Sequence, residues 1–271
     1  MLHTGGIGSL DSGPKERIVS GLAISFITFA CISAATLVGF LLHNMLPQDH
    51  LSEGSKDTVK LGMGMVATLA ALVLGLLIGF ATNSFNNMES EVQHTAAKLI
   101  LLDRVMAHYG PEAKEIRDLL RRSTAARIDT IWSEGGFRPT GLARGDSLTE
   151  SEAVQDKLRQ LSPRTDAQRW LQSQALSLSA ELAQTRWLLI AQAESPVPTL
   201  LLAMLVFWIA MIFLSFALFA PRNATVLVTL LVCALSVSSS IFLILELNRP
   251  FAGAIKISGA PMRDALARLG Q

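Results

Sequence analysis

The sequence predicts an all-α integral membrane protein with four transmembrane helices and a helical cytoplasmic bundle inserted between spans two and three. Three observations carry this. Half of the 271 residues are hydrophobic and only 17% are charged, and a mean hydropathy of +0.41 is too apolar for an ordinary soluble domain. Four runs, Ile18 to Leu42, Val59 to Phe80, Thr199 to Phe219 and Ala224 to Leu245, can each cross a hydrocarbon core of about 30 Å at about 1.5 Å per residue. Between the second and third runs the pattern changes to polar helices, with no strand signal. The chain divides accordingly into a tail (1–17), a first pair of spans (18–81), a cytoplasmic helical domain (82–197), a second pair of spans (198–246) and a cytoplasmic C-terminal segment (247–271).

Residues 1–14 contain Gly5, Gly6, Gly8, Gly13 and Pro14, too many helix breakers for a stable helix. The first span is longer than the roughly 7 to 15 residues of a signal peptide's apolar region, so it is retained. Its Ser20, Ser25, Thr28, Ser33 and Thr36 can return hydrogen bonds to the backbone and need not face water. A polar link, His43 to Thr58, leads to the second span.

The second span organises the rest. Nothing between Ala81 and Asn87 stops the helix, so it crosses the bilayer and continues to Tyr109. Gly64, Thr68, Ala71, Gly75, Gly79, Asn83 and Asn86 recur three or four residues apart and share one face. That face is either a pore lining or a tight helix contact. The Gly75 and Gly79 spacing, taken alone, reads first as packing.

Gly110 and Pro111 end the long helix and start the next, with Glu112 and Glu115 where the helix dipole favours acids. Further helices are expected over Pro111 to Trp132, Thr149 to Leu161 and Asp166 to Ala193, around a main loop at Gly135 to Gly141. Thr149 and Glu152 have capping-box spacing, and Thr165 or Asp166 can cap the last helix. On that helix Leu171, Ala175, Leu178, Leu182, Thr185 and Leu189 form a seam, matched by Val92, Ala96, Leu99 and Met106 on the long helix. Two antiparallel stalks follow from this, with Ser195 to Pro198 breaking the return stalk at the membrane. Asp103 beside Arg104, and Arg121 beside Arg122, read as members of solvated ion pairs. The third span, apolar and rich in Phe, is expected to face lipid; Pro221 to Asn223 forces a hairpin into the fourth, which carries Ser236, Ser238, Ser239 and Ser240.

Lys15 and Arg17 precede the first span, and Arg249, Lys256, Arg263 and Arg268 follow the fourth, against Lys56, Lys60 and Arg222 on the other side. The bias places both termini in the cytoplasm. Net charge is +1, with basic and acidic residues interleaved, so nucleic acid is not an expected partner. The spans lack ionisable groups at their centres, which argues against a pump or an ion-coupled carrier. No nucleophile elbow, Walker loop, HExxH or paired CxxC occurs, so neither an enzyme, a metal site nor a cofactor is expected. Cys31 and Cys233 read as free buried thiols, and His94 and His108 as exposed or capping histidines.

The most distinctive stretch leaves the fourth span: Glu246-Leu247-Asn248-Arg249-Pro250-Phe251-Ala252-Gly253. It reads as a helix end with Pro250 as stop and Phe251 as interface anchor. It reads equally as a clamp in which Glu246, Asn248 and Arg249, with Asn87 at the inner mouth, tie the fourth span to the stalk of the second. With the Ala81 to Asn87 exit and the span arrangement, this motif resembles the bestrophin-like family of bacterial four-span membrane proteins, distantly similar to bestrophin anion channels. The resemblance implies a bacterial inner-membrane homo-oligomer with an anion pore along the second span. Bestrophins place an aromatic constriction on that span, where this chain has glycine, threonine and alanine with Phe80 off the face. Bestrophins also follow the fourth span with an acidic calcium-binding run; this chain reads Ala254-Ile255-Lys256, and no calcium site carries over. The alternative is a non-conducting scaffold whose cytoplasmic domain binds a protein partner.

Overall fold

The computed structural model describes residues 14–43, 45, 53–132, 145–193, 199–221, 223–251 and 253–271. The N-terminal tail to residue 13, most of the link between the first two spans, the Gly135 to Gly141 loop, the Ser195 to Pro198 break and Arg222 lie outside the described residues. Among the described residues are α1 (Pro14–His43), α2 (Glu53–Tyr109), a 3-10 turn (Pro111–Ala113), α3 (Lys114–Trp132), α4 (Gly145–Gln160), α5 (Asp166–Ala193), α6 (Thr199–Phe219), α7 (Ala224–Leu247) and α8 (Ala260–Arg268). No strand occurs among them.

Helices α1, α2, α6 and α7 are long and apolar enough to cross a membrane. The second is one rod of 57 residues, about 85 Å long at about 1.5 Å per residue. Its apolar half packs on α6 and α7, and its polar half on α3, α5 and α8. Membrane and extramembrane parts of the protein therefore share a single continuous element.

In the membrane half, Ile32 of α1, Ala70 and Leu77 of α2, Leu205 and Ile209 of α6 and Ala234 of α7 enclose one core. Helices α1 and α6 approach closely at Gly39, where a Cβ would lie 2.5 Å from the Leu214 carbonyl oxygen and 2.8 Å from Ala217 Cβ. A missing side chain lets the two backbones meet. Nearby, His43 Nδ1 lies 2.7 Å from the Leu218 carbonyl oxygen. On the α7 side, Ser25 Oγ donates to the Ser238 carbonyl at 2.8 Å. Thr28 and Thr36 donate to the carbonyls of Ile24 and Ile32, each at 2.9 Å, as hydroxyls in an apolar helix must. The four serines of α7 do likewise, each bonding the carbonyl four residues earlier.

Two expectations change here. Span α6 does not simply face lipid: Ile212, Phe213 and Ala217 join Leu205 and Ile209 in burial, while Leu200, Met204 and Phe207 stay exposed. Lipid and protein interior are equally apolar, so composition alone is silent on which face packs on a helix. Cys31 and Cys233 are free as expected but exposed on the outer faces of their helices.

In the other half, Val92, Ala96, Leu99 and Met106 of α2 meet Ala175 and Leu178 of α5, with Leu120 of α3, Leu158 of α4 and Met262 of α8 closing the core. Gly110 adopts φ 129°, a conformation that suits glycine and that breaks α2 from the following turn. At the start of α5, Thr165 Oγ1 accepts from the Gln168 N–H at 3.1 Å, and Gln168 Oε1 accepts from the Arg164 N–H at 2.8 Å. This reciprocal pair fixes the helix start. Helix α4 instead begins at Gly145, so Thr149 lies inside it and not at its cap. The loop glycine and aspartate before Thr149 enter the helix one turn earlier than the capping pattern implies.

Candidate functional site

One side of α2 is unpartnered along the whole span. Gly64, Thr68, Ala71, Gly75, Gly79, Asn83 and Asn86 are all exposed, with Asn87 beside them. On the opposite side Ala70, Leu77, Ala81 and Met88 are buried. A Cβ added at Gly64, Gly75 or Gly79 would meet nothing within 4 Å, so within the protomer these glycines serve no helix contact. Thr68 Oγ1 donates to the Gly64 carbonyl at 2.9 Å. Beside this strip runs a second exposed one, bulky and apolar: Met65, Leu69, Leu72, Leu76 and Phe80. Phe80 thus borders the small-residue face on its apolar flank.

The exit of α7 forms a second cluster. Glu246 is completely buried. Its Oε2 accepts from the Ala254 N–H, while Oε1 is enclosed without a hydrogen-bond partner. Gly253 is required here, since a Cβ would strike Glu246 Oε2. A Cβ on Gly21 of α1 would lie 3.3 Å from Glu246 Oε1 and 3.4 Å from Arg249 Nη1, so both side chains converge on the first helix. Asn248 is exposed and closes the helix end, its Nδ2 donating to the Ile244 carbonyl at 2.8 Å. Glu246 thus joins α1 to the exit turn of α7, with Arg249 beside it.

Beyond that turn the chain docks on the bundle. Phe251 meets Trp132 of α3 edge to face, with centroids 6.1 Å apart. Trp132 Nε1 donates to the Ile257 carbonyl at 2.9 Å, and Ile257 N–H donates to the Pro250 carbonyl at 2.8 Å. Sequence reasoning identified Phe251 as an anchor but not Trp132, which lies 119 residues away and carries no local signal. It also missed the ion pair of Asp103 and Arg117. Asp103 is 1% exposed and takes two hydrogen bonds of 2.8 Å from Arg117, so it is not solvated and does not pair with its neighbour Arg104. The carboxylate raises the Arg117 pKa, mainly through that hydrogen bond. His94 and His108 are exposed, and among the described residues no three His, Cys, Asp or Glu side chains converge as metal ligands.

Four membrane-spanning helices, a helical bundle grown out of the second, and an exit turn folded back on both define a class of all-helical membrane protein. A family model, the Bestrophin-like domain, matches residues 30–262, and the chain belongs to the Bestrophin-like family. The fold is similar to that of a bacterial Bestrophin homolog from Klebsiella pneumoniae, with a TM-score of 0.65 at 14% identity over 90% of this chain and 96% of that one. Two single-site variants of the Klebsiella protein match with TM-scores of 0.64 and 0.60, each at 15% identity, over 91% and 93% of this chain and 99% of theirs. A search of curated proteins finds no match.

Proposed function

We propose that the protein is a homo-oligomeric anion channel of the bacterial inner membrane, its axis lined by the open face of α2. Asn83, Asn86 and Asn87 form the inner, cytoplasmic mouth. The observation behind this reading is the unpartnered strip of small and polar residues. The glycines and Thr68 leave that face of the span without side chains bulky enough to pack on a neighbouring helix of the protomer, and the three amides follow it directly where the span ends. One helix face cannot enclose a path, whereas several copies around a symmetry axis can. The apolar strip from Met65 to Phe80 then meets neighbouring copies. Amides hydrate ions of either sign, so the preference for anions rests on the family.

A thiol-accessibility experiment tests this. In a background with Cys31 and Cys233 replaced by serine, Thr68→Cys and Asn83→Cys should react with a membrane-impermeant charged thiol reagent, and the reaction should block ion flux. Leu69→Cys, on the apolar flank, should react more slowly. Unreactive thiols at both small-face positions would favour the second reading, in which the same glycines are contacts between copies of a non-conducting scaffold with a partner on the bundle.

A further inference from the structure

We propose that Arg104 selects anions at the inner end of the path, as a ring of guanidinium groups contributed one by each copy around the axis. This deepens the channel reading and rests on it. Helix α2 runs without interruption from Glu53 to Tyr109, so the open face of its membrane half has a continuation in the bundle. From Asn86 onward, Ser90, His94, Ala97, Leu101, Arg104 and His108 follow at steps of three or four residues, the spacing of one helix face. All six are exposed. On the other side Val92, Leu99, Leu102 and Met106 are buried, in the core shared with α3, α5 and α8.

The charges along this half of α2 are unevenly placed. Asp103 is turned inward and takes two hydrogen bonds from Arg117, so it does not neutralise Arg104, its neighbour in sequence. Lys98 is half-buried and pairs with Glu181 of α5 at 3.0 Å. Glu89 and Glu91 lie off the line and are half-buried. Among the described residues Arg104 makes no ion pair. A single exposed arginine contributes little to stability. Repeated around a symmetry axis, the same group becomes a charged collar. A cleft lined by one sign of charge between low-dielectric walls concentrates the counter-ion by about 10- to 10³-fold, and rings of Arg or Lys are a side-chain device by which pores take anions. Leu101, 47% exposed, precedes Arg104 by one turn and keeps the wall apolar there, which strengthens the field of the adjacent charge. Arg104 lies about 31 Å beyond Asn83 along the helix, at about 1.5 Å per residue. The screening length in physiological salt is about 8 Å, so the collar and the amide mouth act on an ion independently and in series.

The test uses the full chain in planar bilayers at fixed pH, where the reversal potential under a potassium chloride gradient gives the chloride-to-potassium permeability ratio. Arg104→Glu should lower that ratio about tenfold and Arg104→Gln by less. Arg104→Lys should keep it, because a collar of point charges suffices. Arg159→Glu makes the same change of charge on an exposed residue of α4, a helix packed on α3 and α5, and should leave the ratio unchanged. Near 1 M salt the screening length falls to about 3 Å, and the difference between wild type and Arg104→Glu should shrink. The proposal is overturned, and the channel reading left standing, if wild type selects chloride and Asn83→Leu alters its current while Arg104→Glu leaves the ratio unchanged. It is overturned too if Arg104→Lys loses the preference as fully as Arg104→Glu, or if wild type prefers potassium. Assembled wild-type protein that passes no current overturns this proposal and the channel reading together.

Discussion

Arg117 grips Asp103 through both carboxylate oxygens, at 2.8 Å each, from the far side of the Gly110 break. The same carboxylate accepts from the Gly270 N–H at 3.2 Å, and Arg117 Nη2 donates to the Gln271 carbonyl oxygen at 2.9 Å. One ion pair therefore ties α2, α3 and the segment after α8 together.

Removing one partner of this pair leaves the other charge stranded. Asp103→Ala should lower stability by about 3 kcal/mol, the low end for buried pairs because Arg117 retains some exposure. Asp103→Leu combined with Arg117→Met should recover most of that loss. Denaturant titration in detergent checks both, and a single variant within about 0.5 kcal/mol of wild type contradicts the assignment.

Two glycines in the spans should respond in opposite ways. Gly39→Ala forces its new methyl onto the Leu214 carbonyl and Ala217 and should cost about 1–3 kcal/mol, as overpacking does. Gly64→Ala enters open space and should leave the protomer's stability unchanged or raise it by about 0.5–1 kcal/mol through helix propensity. Thermal denaturation of the two variants side by side gives the comparison.

At the exit of α7, Glu246→Ala removes the acceptor of the Ala254 N–H and should cost about 1–3 kcal/mol. Glu246→Gln keeps a carbonyl oxygen there and should cost less. Gly253→Ala should be at least as damaging as Glu246→Ala, because its methyl strikes the buried carboxylate. Hydrogen exchange of residues 253–258 reads the loosening directly.

These contacts also show where sequence reasoning stops. The continuous α2, the seam from Leu171 to Leu189 and its counterpart from Val92 to Met106 were legible because periodicity is written locally and burial obeys it. The small-residue strip was legible as a face, but not as an unpartnered one, since spacing is the same for a packed and an open stripe. Asp103 looked solvated because its partner is fourteen residues away across a turn, and only the turn's geometry brings Arg117 round. The pairing of Trp132 with Phe251 and the approach at Gly39 arise from helices meeting in space. No single segment encodes them.

Acid should break the Glu115–Lys157 ion pair that joins α3 to α4. The Lys157 ammonium bonds Glu115 at 2.6 Å and holds its carboxyl below the ordinary 4.5, the hydrogen bond being the larger cause and the charge the smaller. A folded-state pKa below the unfolded one stabilises the fold above the unfolded value and is lost as pH falls through the folded one. The melting-temperature difference between wild type and Glu115→Gln should therefore be constant at neutral pH and vanish below pH 4.5. A difference that persists in strong acid contradicts the pairing.

Ion flux through liposomes tests the central claim most directly, with anion and cation gradients imposed separately and Asn83→Leu measured beside wild type. The account predicts anion flux that Asn83→Leu reduces about tenfold, roughly 1.4 kcal/mol in the barrier, in protein that still assembles. Tight vesicles containing well-assembled wild-type protein, or flux indifferent to Asn83→Leu, would contradict it.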